Sequence, residues 1–83
     1  MVVSSAAKLL AGMRRNPRDW RIEDLKVVAN RLGIDHDRNG TSHVVFRHAR
    51  AGRLSVPADR SIKPLYVRLF VELADRAGGQ HED

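Results

Sequence analysis

The chain contains no cysteine, which excludes disulfides and thiolate–zinc sites together. Its 83 residues make one small domain, and a domain of that size buries only about 60–65% of its unfolded surface. Stability must therefore come from a compact core without disulfide or thiolate–zinc staples. Long apolar runs are also missing, and no window approaches the ~18 apolar residues of a membrane span. The opening stretch MVVSSAAKLLAGMRR lacks a basic segment before its apolar residues, is interrupted by Lys8, and places its arginines afterwards. That is not the layout of a secretory leader. A soluble, cytoplasmic protein with no membrane partner is expected. Aromatics are few, Trp20, Phe46, Tyr66 and Phe70, and at least two fall on core-facing positions, which argues against a surface on which single-stranded bases stack.

Acidic residues are scarce in one particular place. Between Arg38 and Arg68, seven basic residues (Arg38, Arg47, Arg50, Arg53, Arg60, Lys63, Arg68) accompany one acid, Asp59. Seven minus one gives this segment +6, while the whole chain carries +5. A field of that sign favours a polyanion such as nucleic acid, or an acidic protein partner. A well-solvated arginine-rich surface is the plainer alternative.

The hydrophobic pattern supplies the elements. Residues 4–15 read as an amphipathic helix capped by Ser4 or Ser5, with Ala6, Leu10 and Met13 on one face and Leu9 beside them. Asn16 is placed to end it in a left-handed conformation, and Pro17 stops it. Ile22, Leu25, Val28, Ala29 and Leu32 recur at three- and four-residue spacing and predict a second helix over 22–32. Glu23 and Asp24 suit its first turn and Arg31 its last, with Gly33 as the terminating residue and Ile34 folding back. Trp20, just before this stripe, is expected to pack as a hydrophobic lid, with base stacking as its other use.

From Ile34 to Pro57 the period falls to two. The segments 34–38, 43–48 and 53–56, joined by short turns, predict a three-stranded antiparallel meander. Pro64 suits the first position of a last helix, in which Tyr66, Leu69, Phe70, Leu73 and Ala77 form the expected apolar face, widened by Leu65, Val67 and Val71. Gly78 and Gly79 close it, and the end of the chain reads as a polar, frayed tail. The fold class is α+β, a short antiparallel sheet with helices packed on one face.

One residue in the stretch NGTSHVVF interrupts an otherwise ordinary turn and strand. A histidine titrates near pH 6.5, so it takes and gives protons at cellular pH. RNA cleavage needs a base to deprotonate a ribose 2′-hydroxyl, an acid for the departing 5′-oxygen, and cations beside the phosphate. His43 meets the first need without metal or other cofactor, with Arg38, Arg47 and Lys63 as candidate phosphate-holding neighbours. Gly40 permits close backbone approach, and Thr41 or Ser42 can donate to phosphate. An incidental surface histidine is the ordinary alternative. His36, His43 and His48 match no standard metal-ligand spacing, and Ser42 lacks the turn that exposes a nucleophilic serine. His48 alternates with His43, so it is expected packed or at the sheet rim, and His81 belongs to the tail.

The segments RLGI, GTSH, HVVFRH, RLSVP and IKPLYVRLF, in that order over residues 20–78, resemble the HicA family, the toxin component of HicA–HicB toxin–antitoxin systems. The resemblance implies a fold like the double-stranded-RNA-binding domain, α-β-β-β-α, with residues 1–19 as a helical extension of no transferred role. It implies an mRNA interferase, an endoribonuclease that arrests translation and growth. The family's catalytic histidine maps onto His43, presented by Gly40, Thr41 and Ser42, and a HicB-like antitoxin would neutralise the protein by covering it. The histidine that often follows the family's valine–proline pair is absent, since Ala58 and Asp59 follow Pro57. Two other functions fit the same charge pattern: a non-catalytic double-stranded-RNA-binding module, and a protein-interaction domain for an acidic partner.

Overall fold

In a computed structural model, which describes residues 5–39, 42–58 and 61–79, the chain runs α1 (Ser5–Arg15), α2 (Ile22–Leu32), β1 (Asp35–Asn39), β2 (His43–His48), β3 (Gly52–Pro57) and α3 (Pro64–Ala74). A wider turn, Asp75–Gly79, follows α3. The strands form one antiparallel sheet in the order β1-β2-β3. From α2 onward the order is helix, three strands, helix, and α1 is an additional helix packed against both α2 and α3. Gly40, Thr41, Asp59, Arg60, Ser4 and the QHED tail lie outside the described residues.

Alternation along β2 sorts the sheet into two faces. Val44 and Phe46 enter the core with Val56 from β3. Phe46 meets Phe70 of α3 edge to face, with ring centroids 5.0 Å apart. Leu25 and Val28 from α2, Val67 and Leu73 from α3, and Met13 from α1 complete the large fully buried side chains. At ~25 cal/mol per Å² of apolar surface removed from water, these side chains are the main source of stability.

The buried face of α3 differs from the expected one. Val67, Phe70, Val71, Leu73 and Ala74 are buried, whereas Tyr66 and Leu69 are half-buried and Leu65 is exposed. This helix packs against both β3 and α1, so its apolar arc is centred on the side between those two neighbours. The left-handed residue after α1 is Asp19 (φ 65°), not Asn16. Asn16 instead donates its backbone N–H to Gly12 at 2.9 Å, extending the helical ladder, and its side chain accepts the Arg18 amide at 3.2 Å. Gly33 does end α2 in the left-handed region (φ 71°), and Ile34 folds back, donating to the Ala29 carbonyl at 2.9 Å.

Trp20 fastens α1 to the body of the protein. Its Nε1 donates to the Asn16 carbonyl at 2.6 Å. Its ring lies so close to Gly12 that an added Cβ there would sit 2.9 Å from Cη2. Its backbone carbonyl accepts the Ile62 amide at 2.7 Å. Arg14 adds a second tie, donating through Nη1 to Asp75 Oδ2 at 2.8 Å, with Nη2 on the other carboxylate oxygen. That hydrogen bond, aided by the carboxylate's charge against partial burial, raises the Arg14 pKa.

Candidate active site at the first end of the second strand

His43 begins β2 on the face of the sheet opposite the core, and it is exposed. Its cross-strand partners are Asn39 on β1 and Pro57 on β3. Ala58 donates to the Ser42 carbonyl at 2.7 Å, so His43 and Pro57 are a non-hydrogen-bonded pair. Facing side chains come closest in such pairs, and the N–H that proline lacks is not needed there. The His43 ring makes no hydrogen bond or ion pair among the described residues.

The other two described histidines are engaged. The His36 Nε2 is 2.9 Å from Asn30 Oδ1 of α2, and its ring tilts onto Phe46 at 5.9 Å. His48, half-buried at the far end of β2, accepts the Arg50 and Ala51 amides on Nδ1 at 3.1 and 3.3 Å. A neutral ring with Nδ1 unprotonated is required for that role. His36 and His48 share the core-side parity of the sheet and His43 the other, so the three rings do not converge. Among the described residues no cluster of three metal-ligating side chains exists.

The expected neighbours of His43 divide. Lys63 caps the N-terminus of α3 in an extended conformation (φ −61°, ψ 143°), ahead of Pro64. The other end of α3 leads to Arg76, which reaches Ala51 at the hairpin end of the sheet, so the helix starts toward the His43 end. The first turn of α3 has no acid, so nothing within that turn compensates its partial positive charge. The α2 N-terminus, tied to the same region by the Trp20–Ile62 bridge, carries Glu23 and Asp24 instead. Asp24 accepts the Arg21 amide at 3.0 Å.

Arg38 and Arg47 are placed elsewhere. Arg38 pairs with Val44 and therefore has the opposite facial parity to His43, at an exposed edge position. Arg47 shares the outer face with His43, but four residues along a strand is about 13 Å. Its guanidinium is held by Asp37 of β1. Ser42 is half-buried beside His43; Gly40 and Thr41 are outside the described residues. The site that forms is thus His43 and Ser42 with Lys63 at the same end. Arg53 stands in the sequence only as one of seven basic residues and as the start of RLSVP, and the register alone places it directly opposite Arg47 on the outer face.

Comparisons with family models, characterised proteins and solved structures find no match to this chain.

Proposed function

We propose that the chain is a HicA-like toxin, a metal-independent endoribonuclease that cleaves mRNA through His43 and is held inactive by a HicB-like antitoxin covering that residue. The observation that carries this reading is the contrast among the histidines. His36 and His48 have structural partners, whereas His43 is exposed, uncommitted among the described residues, and at the end of the sheet that also bears the acid-free α3 N-terminus. A histidine without a structural task, at the same end of the sheet as a cation and helix amides, suits proton transfer at a phosphodiester.

In this mechanism neutral His43 takes the proton of a ribose 2′-hydroxyl. The 2′-oxygen attacks the adjacent phosphorus, the bond to the 5′-oxygen breaks, and that oxygen takes up a proton. Lys63 and the first amides of α3 stabilise the added negative charge, and Ser42 contributes a hydroxyl donor. The products are a 2′,3′-cyclic phosphate and a 5′-hydroxyl end. Arg38 and Arg47 hold flanking phosphates rather than the reacting one, given their parity and distance from His43.

The test is incubation of mRNA with purified protein in EDTA. Fragments whose new 5′ ends accept labelled phosphate without prior phosphatase treatment are expected. Intact RNA at every protein concentration refutes the proposal. A second reading, a double-stranded-RNA-binding module that does not cleave, is favoured by the lack of any acid or base hydrogen-bonded to His43 among the described residues. Salt-sensitive binding without fragments is its signature.

A further inference from the structure

The opposite end of the sheet carries a second cationic surface whose arrangement points to a ligand. Arg47 and Arg53 are direct cross-strand partners. Counting along the ladder from the non-hydrogen-bonded His43–Pro57 pair, they too form a non-hydrogen-bonded pair, in which side chains lie closest. Like charges facing each other in that geometry destabilise a sheet. Arg47 is relieved by Asp37, whereas Arg53 is exposed and makes no ion pair among the described residues. The two line a shallow concavity of about 330 Å³ with Asp35, His48, Ala49 and Gly52.

Two further arginines belong to the same hairpin end. Arg50 lies exposed in the three-residue turn Ala49–Ala51. Arg76, beyond α3, donates through Nε to the Ala51 carbonyl at 3.2 Å, which fixes its guanidinium against the turn. The turn itself is well determined: Gly52 takes φ 98°, as three-residue hairpins require after the turn, His48 accepts two of its amides, and Ala51 is buried in the core. The hairpin end therefore carries Arg47 and Arg53 on the outer face, Arg50 in the turn and Arg76 on the helix side, against Asp35 and Asp37, while Asp75 is neutralised by Arg14.

We infer that this hairpin end binds the phosphate backbone of RNA at a second point, about 13–17 Å along β2 from His43. The inference rests on RNA being the ligand of the His43 end. With Arg47 paired to Asp37, Arg53 still faces a second guanidinium across the strands, and a phosphate bridging the two offsets that repulsion. Arginine forks suit phosphate oxygens. A dinucleotide at His43 is too short to reach the hairpin, and a longer strand spans both, so the contact contributes affinity only for longer RNA.

The experiment compares full-length His43→Ala protein with the same protein carrying Arg50→Gln and Arg53→Gln. The probes are a labelled 20-nucleotide RNA, a labelled dinucleotide and a poly-glutamate peptide. The double substitution should weaken the 20-nucleotide complex roughly tenfold and lower the slope of log affinity against log salt by about 1.4, at ~0.7 per phosphate contact. Dinucleotide binding should not change, and the melting temperature should hold or rise because a like-charge pair has gone. Equal affinity and slope for the long RNA overturn the inference, as does lost binding of poly-glutamate alone, which would assign the surface to an acidic protein. Wild-type protein that binds no RNA overturns the inference and the functional proposal together. RNA cleavage unaffected by His43→Ala refutes only the proposal.

Discussion

β2 begins and ends with a histidine, and the two ends do opposite things. At His48 the ring is drawn into the fold, its Nδ1 accepting two turn amides beside the buried Ala51. At His43 the ring stands on the outer face, opposite Pro57, with no hydrogen bond among the described residues. They are five positions apart, an odd number, so strand alternation sends one side chain toward the helices and the other away. Identical side chains thus acquire a structural task or a chemical opportunity through parity alone. The same rule separates Arg38 from His43 and brings Arg53 against Arg47.

The comparison breaks most drastically if the core beneath it is removed. Phe46→Ala deletes the ring on which His36 and Phe70 rest and should cost about 3–5 kcal/mol, read from denaturant unfolding; a loss below about 1 kcal/mol would mean that Phe46 does not anchor the sheet. Next, His48→Ala leaves two turn amides without their acceptor and should cost roughly 1–2 kcal/mol. His48→Asn, whose Oδ1 reaches a similar position, should recover much of it, and RNA cleavage should survive both changes. Cleavage lost in His48→Asn at full stability would reverse the roles assigned to the two histidines. Gly12→Ala forces the Trp20 ring to shift and should cost about 1–2 kcal/mol, loosening α1 with little effect on chemistry at His43.

The smallest effect concerns Arg14 and Asp75. The pair is 47% and 27% exposed, so Arg14→Gln should cost at most ~1 kcal/mol. Because the Arg14 pKa is raised, its contribution is complete below the ordinary arginine range and is lost only as pH rises through the raised value. The deficit of Arg14→Gln on the arginine side should therefore stay flat across neutral and mildly alkaline pH, and unfolding curves at several pH values check this. A deficit that vanishes between pH 7 and 9 would contradict it.

Much of this architecture is legible in the sequence because each element has its own period and punctuation. The helix over 22–32 and the strand over 43–48 have the bounds that their apolar spacing predicts. The first strand runs one residue later than its charged sequence indicates, Asp35–Asn39 rather than 34–38, and the third extends by one residue at each end, to Gly52–Pro57. What the sequence does not reveal is pairing. A one-residue slip in register moves every side chain to the other face, so the position of Arg38 relative to His43 requires the Asn39–His43 pair. The Asp37–Arg47 ion pair and the Arg47–Arg53 confrontation are legible only from the same ladder. The buried face of α3 was displaced for a related reason: a helix contacted by both sheet and α1 buries two adjoining stripes, and hydrophobicity alone does not rank them.

Whether the uncommitted histidine performs the chemistry is read from the single-turnover rate of mRNA cleavage in EDTA by wild-type protein and by His43→Ala, with thermal unfolding measured on both. General acid–base catalysis by one side chain contributes about 10²–10⁴-fold. His43→Ala should lose at least a hundredfold in rate with an unchanged melting temperature. Cleavage by His43→Ala at the wild-type rate would contradict that role.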